Sequence, residues 1–455
     1  MRFLLVTGLE RKKVKVWVCQ ETSPAGSLLP PVDLASIASA LRSKGHEVVI
    51  SDLRLARDPL AEYVRRIKDS GTDAIVLNVS TTSANSDYKI LENTPKQVKK
   101  ICFGTHAQYF PDECFKKGAD FVLAGDPEFC ILSLIESGFN VSNQRGIWDS
   151  TSKNGFYYTD NLDEIAFPAL DLLDMHRYHA PYIRRGNLFT LLLGSRGCPY
   201  PCTYCLYPSF FGKNYRTRSA GNIAGEIEQD MKRYNIKEFY FLDATFNIDE
   251  KRVAGICEEI IGRKLEVRWS CNMRVWPASG GILKMMKKAG CSRIFYGVED
   301  QELLGETGKR IDPALTEEAF RRTREAGIAT VAFVMLFPRS GISEGTYSRR
   351  VLSTLKKLKA DAFQCNIAIP YPGTEMYEAA KRKAGASGDW DTYDPHGHTL
   401  PYKSDIDLIR VKKGVYSRFI LQNPRAIFNL MGNLDARSFA SLLSAYCRMH
   451  LSNRK

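Results

Sequence analysis

Between residues 189 and 383 the sequence repeats an apolar run followed by an amphipathic stretch six times, and this repeat limits what that part of the chain can fold into. The runs at 189–193, 238–243, 267–272, 293–299, 330–337 and 362–369 read as strands, and 223–234, 252–261, 282–289 and 313–326 between them read as helices. Helical crossovers of this length force neighbouring strands to run parallel, with right-handed connections. Six units are too few to close an eight-stranded barrel, so a partial (β/α)6 barrel is expected. The chemistry of such a barrel gathers at the carboxyl ends of its strands.

Polar residues stand at those ends. The first strand runs into Ser195-Arg196-Gly197-Cys198-Pro199-Tyr200-Pro201-Cys202-Thr203-Tyr204-Cys205, which carries three thiols at C-x3-C-x2-C spacing on one short loop. Three thiolates this close can converge on one inorganic cluster. Zinc competes for such a loop, but a structural zinc site takes four protein ligands. The next cysteine is Cys257, and no histidine falls between His179 and His396. A three-thiolate loop without a fourth partner suits a 4Fe–4S cluster with one iron open to a substrate or cofactor. Asp243 and Thr245 follow the second strand, Arg274 the third, Glu299 the fourth, Arg339 the fifth and Pro370-Tyr371-Pro372-Gly373-Thr374 the sixth.

The motif C-x3-C-x-aromatic-C, with Tyr204 as the aromatic, resembles the signature of the radical S-adenosylmethionine (SAM) enzymes. The resemblance implies that Cys198, Cys202 and Cys205 hold the cluster. It also implies that the open iron chelates SAM and that an electron from the cluster cleaves it to a 5′-deoxyadenosyl radical. Asp243, Thr245, Arg274 and Glu299 offer acceptors for the ammonium and ribose hydroxyls of SAM and a cation for its carboxylate. With Tyr204, they are the expected SAM-contacting residues.

Ahead of the barrel, residues 1–137 alternate strand and helix signals: apolar runs at 3–8, 48–51, 74–80, 100–104 and 121–124, with helical stretches at 33–44 and 59–70. Continuous Val, Ile and Leu strands between amphipathic helices argue for a parallel sheet covered on both faces. Ligands bind such sheets beyond the strands' carboxyl ends. Here those ends are Ser80-Thr81-Thr82-Ser83, Gly104-Thr105-His106-Ala107 and Gly125-Asp126-Pro127-Glu128. Together with Pro30-Pro31 and Lys44-Gly45-His46-Glu47-Val48, these pieces resemble the cobalamin-binding domain found ahead of many radical SAM barrels. The resemblance implies a Rossmann-like, flavodoxin-like domain in which Ser80, Thr81, Thr82, Gly104, His106, Gly125, Asp126 and Glu128 line a cobalamin pocket. The motif D-x-H-x-x-G, which supplies an axial imidazole to cobalt, is missing, and the nearest match, Asp174-Met175-His176, lacks the glycine. Cobalamin without a histidine ligand from the protein is the expectation, and His106 then stands at the pocket wall.

Residues 138–188 read as a turn-rich linker, and 384–455 as a polar loop followed by helices. The whole is therefore an α/β protein: a cobalamin-binding domain, a partial barrel of the TIM type and a helical C-terminal extension. Twelve cysteines in 455 residues without regular spacing argue against a disulfide framework. The N-terminus has no signal-peptide pattern, and no apolar run approaches the ~20 residues that span a bilayer. A cytoplasmic protein is expected. The net charge of +13 is concentrated late: residues 401–455 hold ten Lys and Arg against three Asp. Such a tail is a solvated helix face, or a surface for nucleic acid, anionic lipid or an acidic substrate. Cys257, Cys271, Cys291 and Cys365 are assigned to core packing.

The resemblance implies a cobalamin-dependent radical SAM methyltransferase acting on an unactivated carbon of a small molecule, lipid or peptide. An electron donor such as flavodoxin or ferredoxin would serve it. The alternatives are a radical SAM cyclase, rearrangement or oxidative enzyme without methyl transfer, a tRNA-modifying methylthiotransferase, and a non-catalytic iron–sulfur module. The methylthiotransferase family carries a second three-cysteine cluster in its N-terminal domain. Cys19, Cys102, Cys114 and Cys130 do not match it, which argues against nucleic acid as the substrate.

Overall fold

The first sheet is built from β1 (Arg2–Val6), β2 (Glu47–Ser51), β3 (Ala74–Asn78), β4 (Lys99–Phe103), β5 (Phe121–Leu123) and β6 (Ile147–Trp148) in the spatial order β2-β1-β3-β4-β5-β6. The computed structural model describes residues 1–10, 13–16, 19–22, 27–69, 71–184, 186–300, 302–382, 388–394 and 399–422. Strands β1 to β5 are parallel, with Leu4 opposite Val49 and Ile75, and β6 adds antiparallel to β5. All five residues of β3 are buried, as a central strand covered on both faces requires. From β1 the chain crosses to β2 on one side and later to β3 on the other. The carboxyl ends of β1 and β3 therefore flank a switch-point crevice. One expectation changes: the first unit does not stop at 137. Strand β6 belongs to its sheet, and Tyr157 bridges in parallel to Gly125.

The second sheet contains β7 (Leu188–Leu192), β8 (Ile236–Phe241), β9 (Arg268–Met273), β10 (Cys291–Gly297), β11 (Ala329–Leu336) and β12 (Ala362–Ile367), all parallel and in chain order. β7 and β12 are its two edges, so the sheet is a half-barrel. The register places Asn272 opposite Phe295, and Phe333 opposite Gln364, on its inner face. The last turn of the supposed linker closes the floor. Tyr182 lies edge-on to Tyr240 and Phe295, with ring centroids 5.6 Å apart in both cases, and its carbonyl accepts from Arg293 at 2.8 Å. The Arg184 backbone and the Asn187 amide donate to Glu238 at 2.9 and 2.8 Å.

An open sheet edge exposes backbone donors and acceptors that invite foreign strands. The helix Leu408–Gln422 covers that of β12: the Cys365 N–H donates to the Tyr416 hydroxyl at 3.0 Å, and the Phe363 and Tyr416 rings stack at 4.9 Å. The remaining C-terminal positions expected to be helical, among them Ile427, Leu430, Leu442, Leu443 and Tyr446, lie outside the described residues, as does most of the basic tail. Among the described residues no helix is long and apolar enough to cross a membrane.

The helix Ala220–Tyr234 buries Glu226 and Asp230, one turn apart, with Arg218 as their neighbouring cation; Arg218 reaches Glu226 at 2.5 Å. Neither carboxylate oxygen of Asp230 has a hydrogen-bond partner among the described residues. Burial first, and the Glu226 charge second, push the Asp230 carboxyl up to about 9. The folded chain thus retains at neutral pH a proton that the unfolded chain releases near pH 4. The contribution of this group is most favourable below pH ~4 and declines as pH rises toward about 9. Asp230→Asn should remove the decline. Its advantage over the natural chain should widen by at most ~1.4 kcal/mol per pH unit between pH 6 and 8. Urea unfolding of the cofactor-free chain at those pH values measures it, and parallel curves for the two proteins would contradict the reading.

Candidate active site

The cysteine loop is clamped at both ends and along its length. Ser195–Arg196 pairs antiparallel with Arg216–Thr217, so the chain enters and leaves the loop through one short ladder. Gly197 sits there at φ +82, and a Cβ would lie 1.9 Å from the Asn214 carbonyl, so no other residue fits without moving the backbone. The Cys198 N–H donates to the Gly212 carbonyl at 3.2 Å, Thr203 N–H to Thr307 at 3.0 Å, and Met376 N–H to Thr203 at 2.9 Å. The loop therefore rests on segments that follow β10 and β12.

Cys198 lies electrostatically beside Cys202, and Cys205 beside both. No three His, Cys, Asp or Glu side chains among the described residues close tightly enough for a single metal ion. Three thiols on one loop suit a cluster with one open iron better than a structural zinc site, which takes four protein ligands. Burial raises the Cys198 thiol, and pushes the Cys205 thiol up to about 12 against the nearby Lys309 ammonium. In the iron-free loop Cys198 and Cys205 are therefore neutral thiols whose protons leave when metal arrives.

The expected SAM-contacting residues fall into two groups. The Thr245 side chain acts on the Cys198 thiol, opposing the upward push of burial. The Arg274 guanidinium stacks 3.9 Å from the centre of the Tyr200 ring, donates to the Lys309 carbonyl at 2.6 Å, and lies 4.0 Å from the Cys202 sulfur. Glu299, at φ +58, pairs with the buried Lys309 at 2.6 Å and lies beside the Tyr204 phenol, whose ring meets Phe337 edge-on at 5.3 Å. Asp243 stands apart. Fully buried, it accepts from Gly194 N–H and the Ser195 hydroxyl at 2.7 Å each and from Arg252 at 2.8 Å. Its oxygens join the end of β7 to the helix Glu250–Gly262 rather than face the thiols. Lys309 was missed because nothing in Gly308-Lys309-Arg310 marks one cation among 64 Lys and Arg.

At the first sheet, Ser80, Thr81 and Thr82 form a buried turn after β3. Gly104, at φ +109, lets the chain after β4 pass close to Asn78: a Cβ would meet its Oδ1 at 2.5 Å. Several buried polar atoms there have no hydrogen-bond partner among the described residues: Thr82 Oγ1, Asn78 Oδ1 and both amide atoms of Gln108. Orphaned hydroxyl and amide groups in one crevice are costly unless a ligand satisfies them, and the amide side chains of a corrin are suited to do so. Gln108 shares the short helix Thr105–Tyr109 with His106 and was overlooked in favour of the imidazole. His106 itself is fully buried, 2.9 Å from the Tyr88 hydroxyl and 3.4 Å from Glu113, with its ring 4.8 Å from Trp390 and 5.1 Å from Phe110. It joins the helices after β4 to the C-terminal segment, whose Trp390–Thr392 turn also lies against Thr81–Ser83.

Gly125 and Asp126 occupy the loop after β5, and Glu128 the first turn of the helix Pro127–Glu136 that follows. Both carboxylates point across to the second sheet, into Arg196 and Arg216. Tyr109, at the end of the helix Thr105–Tyr109, donates to the Ser209 carbonyl at 3.0 Å and packs against Gly373. The carboxyl rims of the two sheets thus abut, with the cysteine loop between them.

Three other cysteines also meet: Cys257 and Cys271 each lie beside Cys291, and all three are buried between the helix Glu250–Gly262, β9 and β10. Sequence spacing had left each without a neighbour.

Residues 192–345 match the model of the Radical SAM superfamily and 22–130 that of the B12 binding domain. An uncharacterised methyltransferase of Pyrococcus horikoshii is 29% identical over 92% of this chain and 95% of its own. The hopanoid C-3 methylase of Methylococcus capsulatus is 25% identical over 86% of this chain and 77% of its own. The structure of the radical SAM methyltransferase TsrM from Kitasatospora setae, with cobalamin and a [4Fe-4S] cluster bound, superposes with a TM-score of 0.65 at 20% identity, covering 84% of this chain and 75% of that one. Two abutting rims, one with three thiols and one with a polar crevice, are matched in order by the two domain models: the chain belongs to the radical SAM enzymes that carry a cobalamin-binding domain ahead of the barrel.

Proposed function

We propose that the protein is a cobalamin-dependent methyltransferase acting on an unactivated carbon, in which Cys198, Cys202 and Cys205 hold three irons of the cluster. In this reading Glu299, Lys309, Arg274 and Tyr204 surround SAM, and Thr245 supports the Cys198 sulfur. Ser80, Thr81, Thr82, Gly104 and Gln108 hold the corrin, without an axial imidazole. His106, Gly125, Asp126, Glu128 and Asp243 act by holding the rims in place. The first unit runs from 1 to 158 through β6, the barrel from 188 to 382, and the C-terminal extension closes both. When bound, the cluster and SAM supply a carbon-centred radical and the corrinoid supplies the methyl group. The chain orients these groups, excludes water and neutralises charge, and hydrogen abstraction asks no general base of it.

The observation that carries this reading is the contact between the two carboxyl rims, which sets the cysteine loop beside the loops at the end of the first sheet. Of these relatives, one is a hopanoid C-3 methylase and TsrM takes tryptophan as substrate. A small organic or lipid acceptor is the corresponding proposal here, with a low-potential flavodoxin or ferredoxin as donor in a reducing cytoplasm. Anaerobic reconstitution with SAM labelled in its methyl group is the test. Label transferred to an acceptor, together with corrinoid extracted from the protein, is the expected result. Deoxyadenosine formed without label transfer or corrinoid would mean radical chemistry without methylation.

Gln108→Ala separates corrin contact from folding. Its amide has no protein partner among the described residues, so the thermal midpoint should stay within about 2 °C. Hydroxocobalamin affinity, measured by equilibrium dialysis, should fall about 5- to 30-fold for one or two lost hydrogen bonds. An unchanged affinity would move Gln108 out of the crevice's binding set.

A further inference from the structure

Where the two sheets meet, two carboxylates and two guanidiniums form a charge-balanced set with almost no exposure: Asp126 0%, Glu128 2%, Arg196 3% and Arg216 9%. Arg196 donates to Asp126 at 2.8 Å and to the two oxygens of Glu128 at 2.7 and 3.0 Å. Arg216 donates to the other oxygen of Asp126 at 2.5 Å and to the Thr159 carbonyl at 2.6 Å. Thr159 N–H completes Asp126 at 2.9 Å, and the Ser36 hydroxyl donates to Glu128 at 2.7 Å. The guanidiniums also lie over aromatic rings, Arg196 on Phe211 at 5.2 Å and Arg216 on Tyr158 at 5.0 Å.

Two features give this set a role beyond joining two surfaces. Arg196 and Arg216 are the facing residues of the ladder through which the chain enters and leaves the cysteine loop, with Arg196 two positions before Cys198. On the other side, Ser36 lies on the helix Val32–Ser43, which opens at the switch-point crevice, where its Asp33 accepts from Asn78 at 2.7 Å. The first turn of this helix therefore joins the switch-point crevice to the buried ion set, and the ion set holds the ladder that leads into the thiol loop. Buried ion sets of this kind add little net stability over well-packed apolar residues, and fixing a register is their best-attested use.

We propose that Asp126, Glu128, Arg196 and Arg216 are positioning residues that set the register between the corrin-binding rim and the cysteine loop, so that filling either site pre-orders the other. The proposal rests on the cofactor reading above. By linkage, the cluster should tighten corrinoid binding by the same factor by which corrinoid tightens the cluster.

The charge-balanced double variant Arg196→Gln/Glu128→Gln tests it, compared with the natural chain in full length. In the cofactor-free proteins, hydrogen exchange is read at residues 125–128, 195–198 and 214–217. The natural chain should protect all three segments, and the variant should lose protection in all of them together. In the loaded proteins, hydroxocobalamin affinity is measured with and without the reconstituted cluster. The cluster should tighten binding about tenfold in the natural chain and by a factor near one in the variant. The magnetic interaction between the reduced cluster and a Co(II) corrinoid, seen by electron paramagnetic resonance, should weaken while iron content stays the same. Unchanged exchange and an unchanged affinity ratio in the variant would overturn the proposal. A natural chain that takes up no corrinoid would defeat the cofactor reading alone, and the exchange measurement would still decide whether the clamp holds the rims. Should the double variant fail to fold, Ser36→Ala removes one donor to Glu128 and should lower the affinity ratio about threefold.

Discussion

Alanine at Cys198, Cys202 or Cys205 is expected to reduce bound iron from about four atoms per chain to near none, and SAM cleavage to below detection. The expectation follows from the loop's lack of a reserve ligand. Its three thiols share one short loop, the next cysteine in the sequence is Cys257, and no histidine falls between His179 and His396. The second group of thiols, Cys257, Cys271 and Cys291, is no substitute. These residues are at most 1% exposed, and burial pushes the Cys257 thiol up to about 12 and holds the Cys271 thiol well above its ordinary value. Cys271→Ala should therefore leave iron content and SAM cleavage intact and cost about 1–2 kcal/mol of stability through the small cavity it opens. Iron and sulfide analysis of the four variants decides the matter. Iron lost from Cys271→Ala would mean that the core thiols bind metal, and iron retained by Cys205→Ala would mean that the cluster is held elsewhere.

The thiol loop and both sheets were legible because their signals are local. Continuous apolar runs such as Ala74–Asn78 mark strands buried on both faces, and the three cysteines lie within eight residues. What the sequence concealed depends on how distant segments dock. Asp126 meets Arg196 and Arg216 across 70 and 90 residues, and no spacing rule links them. Asp126 and Glu128 had the right residue types for a polar pocket, but docking of the second sheet turned them toward its guanidiniums. The linker was given no chemistry, because a turn-rich polar stretch carries no periodicity. Yet Thr159 completes the interdomain ion set, and Tyr182 plugs the half-barrel. Trp390 read as a loop aromatic, and its contacts with His106 and Glu113 join the C-terminal segment to the first unit.

Asp243 and Glu299 looked equivalent in the sequence, since each follows a barrel strand, and their variants are expected to diverge. Three protein donors already occupy the oxygens of Asp243. Asp243→Asn would leave the Arg252 guanidinium buried without its counter-charge, a loss of about 3–5 kcal/mol. In a chain of 455 residues that lowers the melting temperature by roughly 3–5 °C. Enzyme that remains folded should bind SAM as before. Glu299 is held differently. Its backbone is in the left-handed region, which residues with a side chain seldom adopt without a compensating role. Its carboxylate pairs with Lys309, the cation that acts on Cys205, and lies beside Tyr204. Glu299→Gln should weaken SAM binding by about 10- to 100-fold, the scale of one charge-assisted hydrogen bond. It should also cost stability, because Lys309 loses its counter-charge, so the two readouts move together for Glu299 and separately for Asp243. Equilibrium dialysis of SAM against the cluster-loaded variants, with melting curves on the same samples, reads both quantities. Weaker SAM binding by Asp243→Asn at an unchanged melting temperature would return that carboxylate to the binding site, and unaltered binding by Glu299→Gln would remove Glu299 from it.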